Sequence, residues 1–582
     1  MGGPPPRAIL ARVSARVPAL GFLGSLDAWL PKSLLVLREG YSVRDFTSDL
    51  VAGITVGLVA LPLAMAFAIA SGLPPQAGIY CAIVTGFLIS ALGGSRTQIG
   101  GPTGAFVVVV ADIVARHGVD GLFMCTMMAG VLLLAFGITG LGTTVKFIPR
   151  PVVIGFTNGI AVLIASTQIR DFFGLRMNTV PSDFFERMEA FAAAFPTLSP
   201  ASTALGVGTL VVVVLGLRFA RRVPGTIAAL VLGTAAVALF TLPVETIGTR
   251  FGGIPSGLPT LDLPTFRPRL VLRLLSPALT VALLGAIESL LSAVVSDRMT
   301  GDKHNPNVEL MAQGVANVVA PMFGGLPATG AIARTATNVR SGARSPVAGM
   351  VHALTLLAVL VFAAPLARHI PLAVLAGILF VVAWNMGEWR EIPPLLRQTK
   401  TDVSVWLVTF ALTVFADLTI AVEVGMVMAA LLFIRRVSDT TTVEIVSGED
   451  IEDGRAHILQ DKDIPDYVTI VRIHGPLLFG TTDKIEELHE RIDGLAPVVL
   501  LRLRDMTALD ATGLTAIGGL ADRLHASGRH LLLCGARPQP ARLLHRAEFH
   551  EHVGVDNVLP DVETALERAR VLFEMGLARR GR

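Results

Sequence analysis

The chain has 582 residues, 52% of them hydrophobic and 16% charged, with a formal net charge of +3. Soluble domains carry roughly 25% charged residues, so this composition excludes an ordinary soluble globule and places the chain in a lipid bilayer. The small positive net charge says little about partners, and no nucleic-acid partner is expected. Cys81, Cys125 and Cys534 are far apart and form no CxxC, so neither a disulfide framework, a metal centre nor a bound cofactor is expected.

Residues 1–50 are Pro-rich and basic and read as a cytoplasmic lead-in without a cleavable signal peptide, carrying an interfacial helix from Asp27 to Leu37. The run from Val51 to Gly94 contains no Asp, Glu, Lys or Arg. It exceeds one span of about 20 residues, so it is read as two spans joined at Leu73-Pro74-Pro75. Apolar segments then follow in order. The first set covers 52–71, 75–93, 103–115, 121–142, 149–171, 202–219 and 224–243. A Gly/Pro-rich joint at 251–268 separates it from 272–295, 308–321, 330–340, 346–366, 370–385, 402–417 and 419–435. These make two sets of seven in a transmembrane domain over 51–436. Segments 103–115 and 330–340 are too short to span, and such half-helices are tolerated only where irregular backbone is buried or lines a cavity.

Loop charges predict both termini in the cytoplasm. The loops assigned inside hold Lys146 and Arg150, then Arg218, Arg221 and Arg222, then Arg298 and Lys303, Arg340 and Arg344, Arg397 and Lys400, and Arg435 and Arg436. Arg267, Arg269 and Arg273 in the joint are the exception, since seven segments put that joint outside. From about Val443 the composition turns charged. Strands are predicted at Tyr467–Ile473, Val498–Leu503 and His530–Cys534, with helices at Asp483–Ile492, Leu514–Ala526 and Pro540–Ala547. That alternation describes a small soluble α/β domain over 443–575.

One motif occurs twice. Gly93-Gly94 leads to Thr103-Gly104-Ala105-Phe106, and Gly324-Gly325 leads to Thr329-Gly330-Ala331-Ile332. A related helix stands before each copy, with Val59-Ala60-Leu61-Pro62 in one half and Val281-Ala282-Leu283-Leu284 in the other. Weak internal repeats with paired Gly/Pro interruptions are the mark of an inverted-repeat transporter, and the interruptions mark its site. A half-helix N-terminus carries unpaired N–H groups and a partial positive charge. Two of them meeting near the midplane cradle an anion. Gly104 and Gly330 allow close backbone approach, and Thr103 offers a hydroxyl donor. The bland alternative is helix packing through small residues; the repetition of the motif weighs against it.

Glu288 interrupts the apolar run Leu274–Val295, and a carboxylate there is expensive. Ser292 lies one helical turn on, on the same face. Arg334 stands three residues into the second half-helix, where it either adds a positive field for the anion or is buried against Glu288 or carbonyls. Gln313 and Asn317 share a face and are read as glue between helices. Asp417 and Glu423 are read as solvated. Asp510 and Thr512 are read first as caps of a helix starting near Gly513. No GxSxG, Walker or HExxH pattern stands in a suitable context, so no enzyme is expected.

Several stretches resemble a known family. Phe46-Thr47-Ser48-Asp49-Leu50-Val51-Ala52-Gly53-Ile54-Thr55-Val56-Gly57 resembles the opening of SulP anion transporters, the bacterial relatives of solute carrier family 26. Gly100-Gly101-Pro102-Thr103-Gly104 and Gly324-Gly325-Leu326-Pro327 with Ala333-Arg334-Thr335 do likewise, and the tail resembles a STAS domain through Leu509-Asp510-Ala511-Thr512-Gly513-Leu514. Within the family, Leu284–Leu291, Ala331–Arg334 and Val382–Met386 look nearest to DauA-type dicarboxylate transporters. The resemblance implies a polytopic α-helical protein of about fourteen segments in a seven-plus-seven inverted repeat. It also implies a core domain moving against a gate domain, a homodimer, and a bacterial inner-membrane location.

By the same resemblance, the positions of Ala331, Ile332 and Ala333 present backbone donors to the anion, and Met65 and Phe67 wall the pocket. Glu288 and Ser292 hold a coupling ion, proton or sodium, with the proton preferred. Thr512 becomes a possible phosphorylation site, and the tail a surface for a cytoplasmic protein partner. The expected activity is secondary active transport of a small anion, a C4-dicarboxylate such as succinate or fumarate favoured. Sulfate or bicarbonate transport, and an uncoupled anion channel of the same fold, are the alternatives.

Overall fold

A computed structural model describes residues 29–143, 149–177, 180, 181, 183–219, 225–255, 257, 259–262, 265, 267–416, 418–446, 464–489 and 491–580. Lys146, Arg221, Arg222 and Asp417, and the side chains of Arg218 and Glu423, lie outside the described residues. The chain divides into two compact units, Met1–Met426 and Val427–Arg582.

In the first unit a short helix α1 (Lys32–Glu39) precedes α2 (Val43–Ala70), α3 (Pro75–Leu92), a two-residue strand β1 (Gly100–Gly101) and α4 (Gly104–Ile138). Next come α5 (Arg150–Phe173), α6 (Phe184–Ala194), α7 (Pro200–Phe219), α8 (Gly225–Phe240) and the short α9 (Ile247–Phe251). The same order then recurs with α10 (Val271–Thr300), α11 (Pro306–Val319), β2 (Thr329–Gly330), α12 (Ile332–Arg340), α13 (Val347–Ala367) and α14 (Leu372–Met386). A short α15 (Ile392–Leu396) leads to α16 (Lys400–Phe415) and α17 (Leu418–Asp439), which runs across the division between the units.

The 35 residues of α4 would run about 52 Å as one straight rod at ~1.5 Å per residue, far beyond an apolar layer of about 30 Å. Gly118 prevents this: its φ of 72° and ψ of −178° break the helix into a half-helix and a following span. Counted that way, the first half supplies seven segments and the second half seven in matching order, with α12 as the short counterpart of the Gly104 half-helix. The lateral helix α6, capped by Asp183 on the amides of Phe185 and Glu186, had no counterpart in the sequence reading.

Small residues set the helix spacing. On α4 and α11, Gly130 and Gly314 face each other, and a Cβ on either would stand 2.8 or 2.7 Å from the other's carbonyl oxygen. Asp27, the expected start of the interfacial helix, lies outside the described residues; helix α1 begins at Lys32 and is tied to the rest of the unit. Its first amide donates to the Gly93 carbonyl at 2.9 Å, and Lys32 pairs with Asp302 at 3.2 Å. Arg267, the positive charge that disagreed with the loop rule, pairs with Asp120 at 2.8 Å.

The motif that opens α2 has a structural role. Asp49 is fully buried and accepts from the amides of Arg344 (2.7 Å) and Ser345 (3.1 Å) and from the Tyr41 hydroxyl (2.8 Å). It thereby ties the start of α2 to the turn between α12 and α13.

The second unit is an α/β fold. Its strands are β3 (Thr442–Val446), β4 (Val468–Leu477), β5 (Val498–Arg502), β6 (Met506–Leu509), β7 (His530–Cys534) and β8 (Val558–Leu559). The sheet order is β3-β4-β5-β7-β8, with β6 beside β4; only β3 is antiparallel. Side chains alternate across the strands. Val471, Ile473, Val499, Leu501 and Leu533 enter a core with α18 (Asp483–His489) and α19 (Ala511–Ala526). Val468, Ile470, Val498, Leu500 and Leu532 face Ala565, Ala569 and Leu572 of the last helix, which spans Val562–Arg580. Strands β4, β5 and β7 overlap the predicted ones; β3, β6, β8 and the last helix are additional.

Candidate functional site

The two copies of the motif meet. Strands β1 and β2 pair antiparallel, Gly100 opposite Gly330 and Gly101 opposite Thr329. The chain then leaves the pair in opposite directions, through Thr103 into α4 and through Ala331 into α12. Neither N-cap residue caps with its side chain. The first α12 bond across the cap runs from the Thr335 amide to the Ala331 carbonyl at 2.8 Å, which leaves the amides of Ile332, Ala333 and Arg334 at the helix opening.

A cavity of about 290 Å³ opens at these termini. One wall is Phe67, Thr103, Gly104, Glu288 and Ala331–Arg334; the facing wall is Val152, Phe156 and Ile160 of α5 with Val382, Asn385 and Met386 of α14. Ile332 and Ala333 are exposed within it, while Phe67, Thr103, Ala331 and Arg334 are buried. Gly104 stands where a Cβ would come within 3.0 Å of Ile164, 3.1 Å of Met386 and 3.4 Å of Phe67, so a side chain there would make these neighbours give way by a few tenths of an ångström.

The side chains differ from expectation in instructive ways. The Thr103 hydroxyl does not point to a free anion position; it donates to the Glu288 carboxylate at 2.8 Å. The Ala331 amide is not an open donor either, because it is bonded to the Ile99 carbonyl at 2.8 Å as part of the strand pairing. Arg334 donates from Nη2 to the Pro102 carbonyl at 2.9 Å, the buried-against-carbonyls arrangement, and its Nη1 has no hydrogen-bond partner among the described residues.

Gly330 does not line the cavity; its amide donates to the Ser289 hydroxyl at 3.1 Å, and a Cβ there would collide with Gln98. Ser292 donates to Thr335 at 3.0 Å, so it and Glu288 do not share a partner. Met65 is fully buried and lines a separate apolar cavity of about 380 Å³ with Leu61, Ile79 and Leu230. Of the residues named for the site, Phe67, Thr103, Gly104, Glu288, Ala331, Ile332, Ala333 and Arg334 share one cavity; Met65, Gly330 and Ser292 stand behind or beside it.

Supporting residues hold the crossing in place. Asn317 does more than glue helices: its amide donates to the Ala328 carbonyl and accepts from the Ala328 amide, both at 2.8 Å, fixing the approach to β2. Glu309, unremarked in the sequence, is fully buried and accepts from the amides of Gly94 (2.9 Å) and Ser95 (3.2 Å) and from Gln313 (3.0 Å). It organises the Gly93-Gly94 turn. Only its place in an apolar stretch could have flagged it. In the second unit Asp510 caps α19, accepting from Gly513 at 2.8 Å and from the Phe479 amide at 2.9 Å. Thr512 takes no part in capping; it is exposed in the first turn, because the helix begins at Ala511 rather than near Gly513.

Two crossed half-helices over a small cavity, within a helical membrane unit joined to an α/β domain, define a multi-pass transporter. Residues 46–409 match the sulfate permease family and residues 460–565 match the STAS domain. The chain belongs to the sulfate permease (SulP/SLC26) family of anion transporters with a C-terminal STAS domain. It is 42% identical over 518 residues to the putative sulfate transporter YvdB of Bacillus subtilis, covering 89% of this chain and 96% of that protein. It is 31% identical over 541 residues to the bicarbonate transporter BicA of a Picosynechococcus strain, covering 90% and 95%. The solved structure of murine Slc26a9 superposes with a TM-score of 0.82 over 97% of this chain and 98% of that one; at 18% identity the likeness is one of fold.

Proposed function

We propose that this protein is a secondary active transporter of a small oxyanion, with sulfate and bicarbonate as the first candidates, held at the crossed half-helices and coupled to a cation at Glu288. The observation that supports it is the shared cavity: two helix openings with free amides, the Arg334 guanidinium at its back and the Glu288 carboxylate bonded to Thr103. Helix termini attract the anion through fixed partial charges. A carboxylate beside an anion site needs a proton or a metal cation for both to be occupied at once, which couples the two by charge.

The names of the similar proteins in Bacillus and Picosynechococcus support sulfate or bicarbonate. The C4-dicarboxylate reading rests on the three short stretches given above and stands second. In this reading α5 and α14 belong to a gate that moves against the core carrying both half-helices. The chain lies in the bacterial inner membrane with both termini cytoplasmic, works as a homodimer, and presents its STAS domain to a cytoplasmic protein partner.

The test is uptake of labelled sulfate, bicarbonate and succinate into proteoliposomes under a pH gradient, a sodium gradient, or neither. Accumulation of one anion against its gradient only when a cation gradient is imposed is the expected result. Uptake that follows voltage alone would establish the channel instead.

A further inference from the structure

A second buried polar group lies behind the site, on the far side of β1. His352 of α13 is fully buried; its ring approaches the Gly349 carbonyl one turn back, and neither ring nitrogen makes a well-aligned hydrogen bond among the described residues. A buried polar group without a full set of partners is costly, and that calls for a reason. The ring packs closely against glycine. A Cβ on Gly86 of α3 would stand 3.2 Å from both Nδ1 and Cε1 of the ring and 3.3 Å from the Gly100 carbonyl oxygen. On the other glycine of β1, a Cβ at Gly101 would stand 2.5 Å from the unpartnered Nη1 of Arg334. The di-glycine strand therefore separates two unsatisfied groups, the anion-facing guanidinium and the imidazole.

Every element around the ring bears on its charge. From α12, Arg334 is the cation whose field reaches it. Beyond Arg334 lie Glu288 of α10 and the Cys81 thiol of α3. Helix α2 meets α13 here through Gly57, close to the His352 carbonyl, and contributes no charge. A row of hydroxyls leads away from the ring. One turn along α3 and α13, Ser90 faces Gly349, where a Cβ would touch its Oγ. Ser95 follows past the end of α3. Both Oγ atoms are buried and without a partner among the described residues.

We propose that His352 is a second proton-binding group of the transport cycle, linked to the anion through Arg334. With the cavity empty, the buried imidazole has the Arg334 cation as its charged neighbour. An anion at the half-helix openings offsets that cation, and the ring then takes a proton on a free nitrogen lone pair, supplied from the solution. By reciprocity the proton tightens the anion by the same factor. His352 touches neither anion nor Glu288; it is a positioning and coupling residue. The inference rests on the proton-coupled form of the reading above.

The experiment uses the full chain in proteoliposomes, with the anion that the wild type accumulates under a pH gradient. If the wild type ignores the pH gradient, proton coupling itself fails, and this inference with it. Given wild-type coupling, His352→Gln should lower pH-gradient-driven accumulation by about tenfold while anion exchange at equal pH stays within about twofold. Unchanged accumulation in that variant overturns the proposal and leaves the coupling at Glu288 standing. Should His352→Gln fail to fold, Glu288→Gln supplies the second reading. With the carboxylate gone, anion affinity should still rise on acidification across the imidazole range, by up to about tenfold per pH unit for one linked proton. A flat profile between about pH 5.5 and 8 in that variant also overturns it.

Discussion

At the residue scale the proposed site turns on Glu288 and Ala331, in different ways. Ala331 lines the cavity at the start of α12, and its small side chain leaves the neighbouring amides accessible. Ala331→Trp places an indole across that opening, so anion binding should be lost while the folded protein persists. Wild-type affinity in a well-folded variant would sink the assignment. Glu288 is held by one hydroxyl bond from Thr103, too little to account for a carboxylate in an apolar run by structure alone. Glu288→Gln keeps that bond and removes the charge, so accumulation under a cation gradient should collapse while exchange of anion for anion survives. Gradient-driven uptake at the wild-type rate would make Glu288 structural. Neither residue's partner was legible in the sequence. Glu288 stood out because charge in an apolar run is costly, whereas the Thr103 bond joins residues 185 positions apart.

Helices and strands are fixed by contacts of two kinds. In the membrane unit the constraint is proximity. Gly130 and Gly314 let α4 and α11 approach to backbone contact. Gly130→Val forces the pair apart, and such overpacking costs about 1–3 kcal/mol. The expected reading is a lower melting temperature in detergent; an unchanged one would mean that the helices already sit further apart. In the STAS domain the constraint includes charge. Burial by itself would raise the Asp505 carboxyl, but the 2.8 Å bond from Arg472 and the cations of Arg472 and Arg502 outweigh it and hold Asp505 below the usual carboxylate range. A depressed carboxylate adds stability that is present above its unfolded value and lost as pH falls through its folded one. Asp505→Asn should therefore cost about 1–2 kcal/mol near neutral pH. That deficit should shrink as pH drops below about 4, read by hydrogen exchange in β4 and β5. A deficit independent of pH would assign the effect to packing.

For the whole molecule, the chain splits into two compact units. The cavity is built entirely from residues of the first unit. Removing residues 443–582 should therefore lower expression or rate and leave selectivity alone. The check is competition by sulfate, bicarbonate and succinate against uptake in the truncated protein. A changed rank order among the competitors would refute the separation; an unchanged order at reduced rate supports it.

The sequence by itself determined what depends on local chemistry. Runs of apolar residues near 20 long specify spans. The short segments 103–115 and 330–340 specify half-helices, and alternating strands and helices after Val443 specify an α/β tail. The repeated Gly-Gly and Thr-Gly-Ala motif pointed to the place where the two half-helices meet. Only the tertiary structure decided which groups in that region are free. Strand pairing between Gly100 and Gly330 consumes the Ala331 amide, the Thr103 hydroxyl goes to Glu288, Met65 turns to another cavity, and the His352 ring is left without a well-aligned hydrogen bond among the described residues. The reason is physical. Periodicity and propensity act over a few residues and set elements, whereas a hydrogen bond is used or free according to partners that chain closure brings from the other half of the molecule.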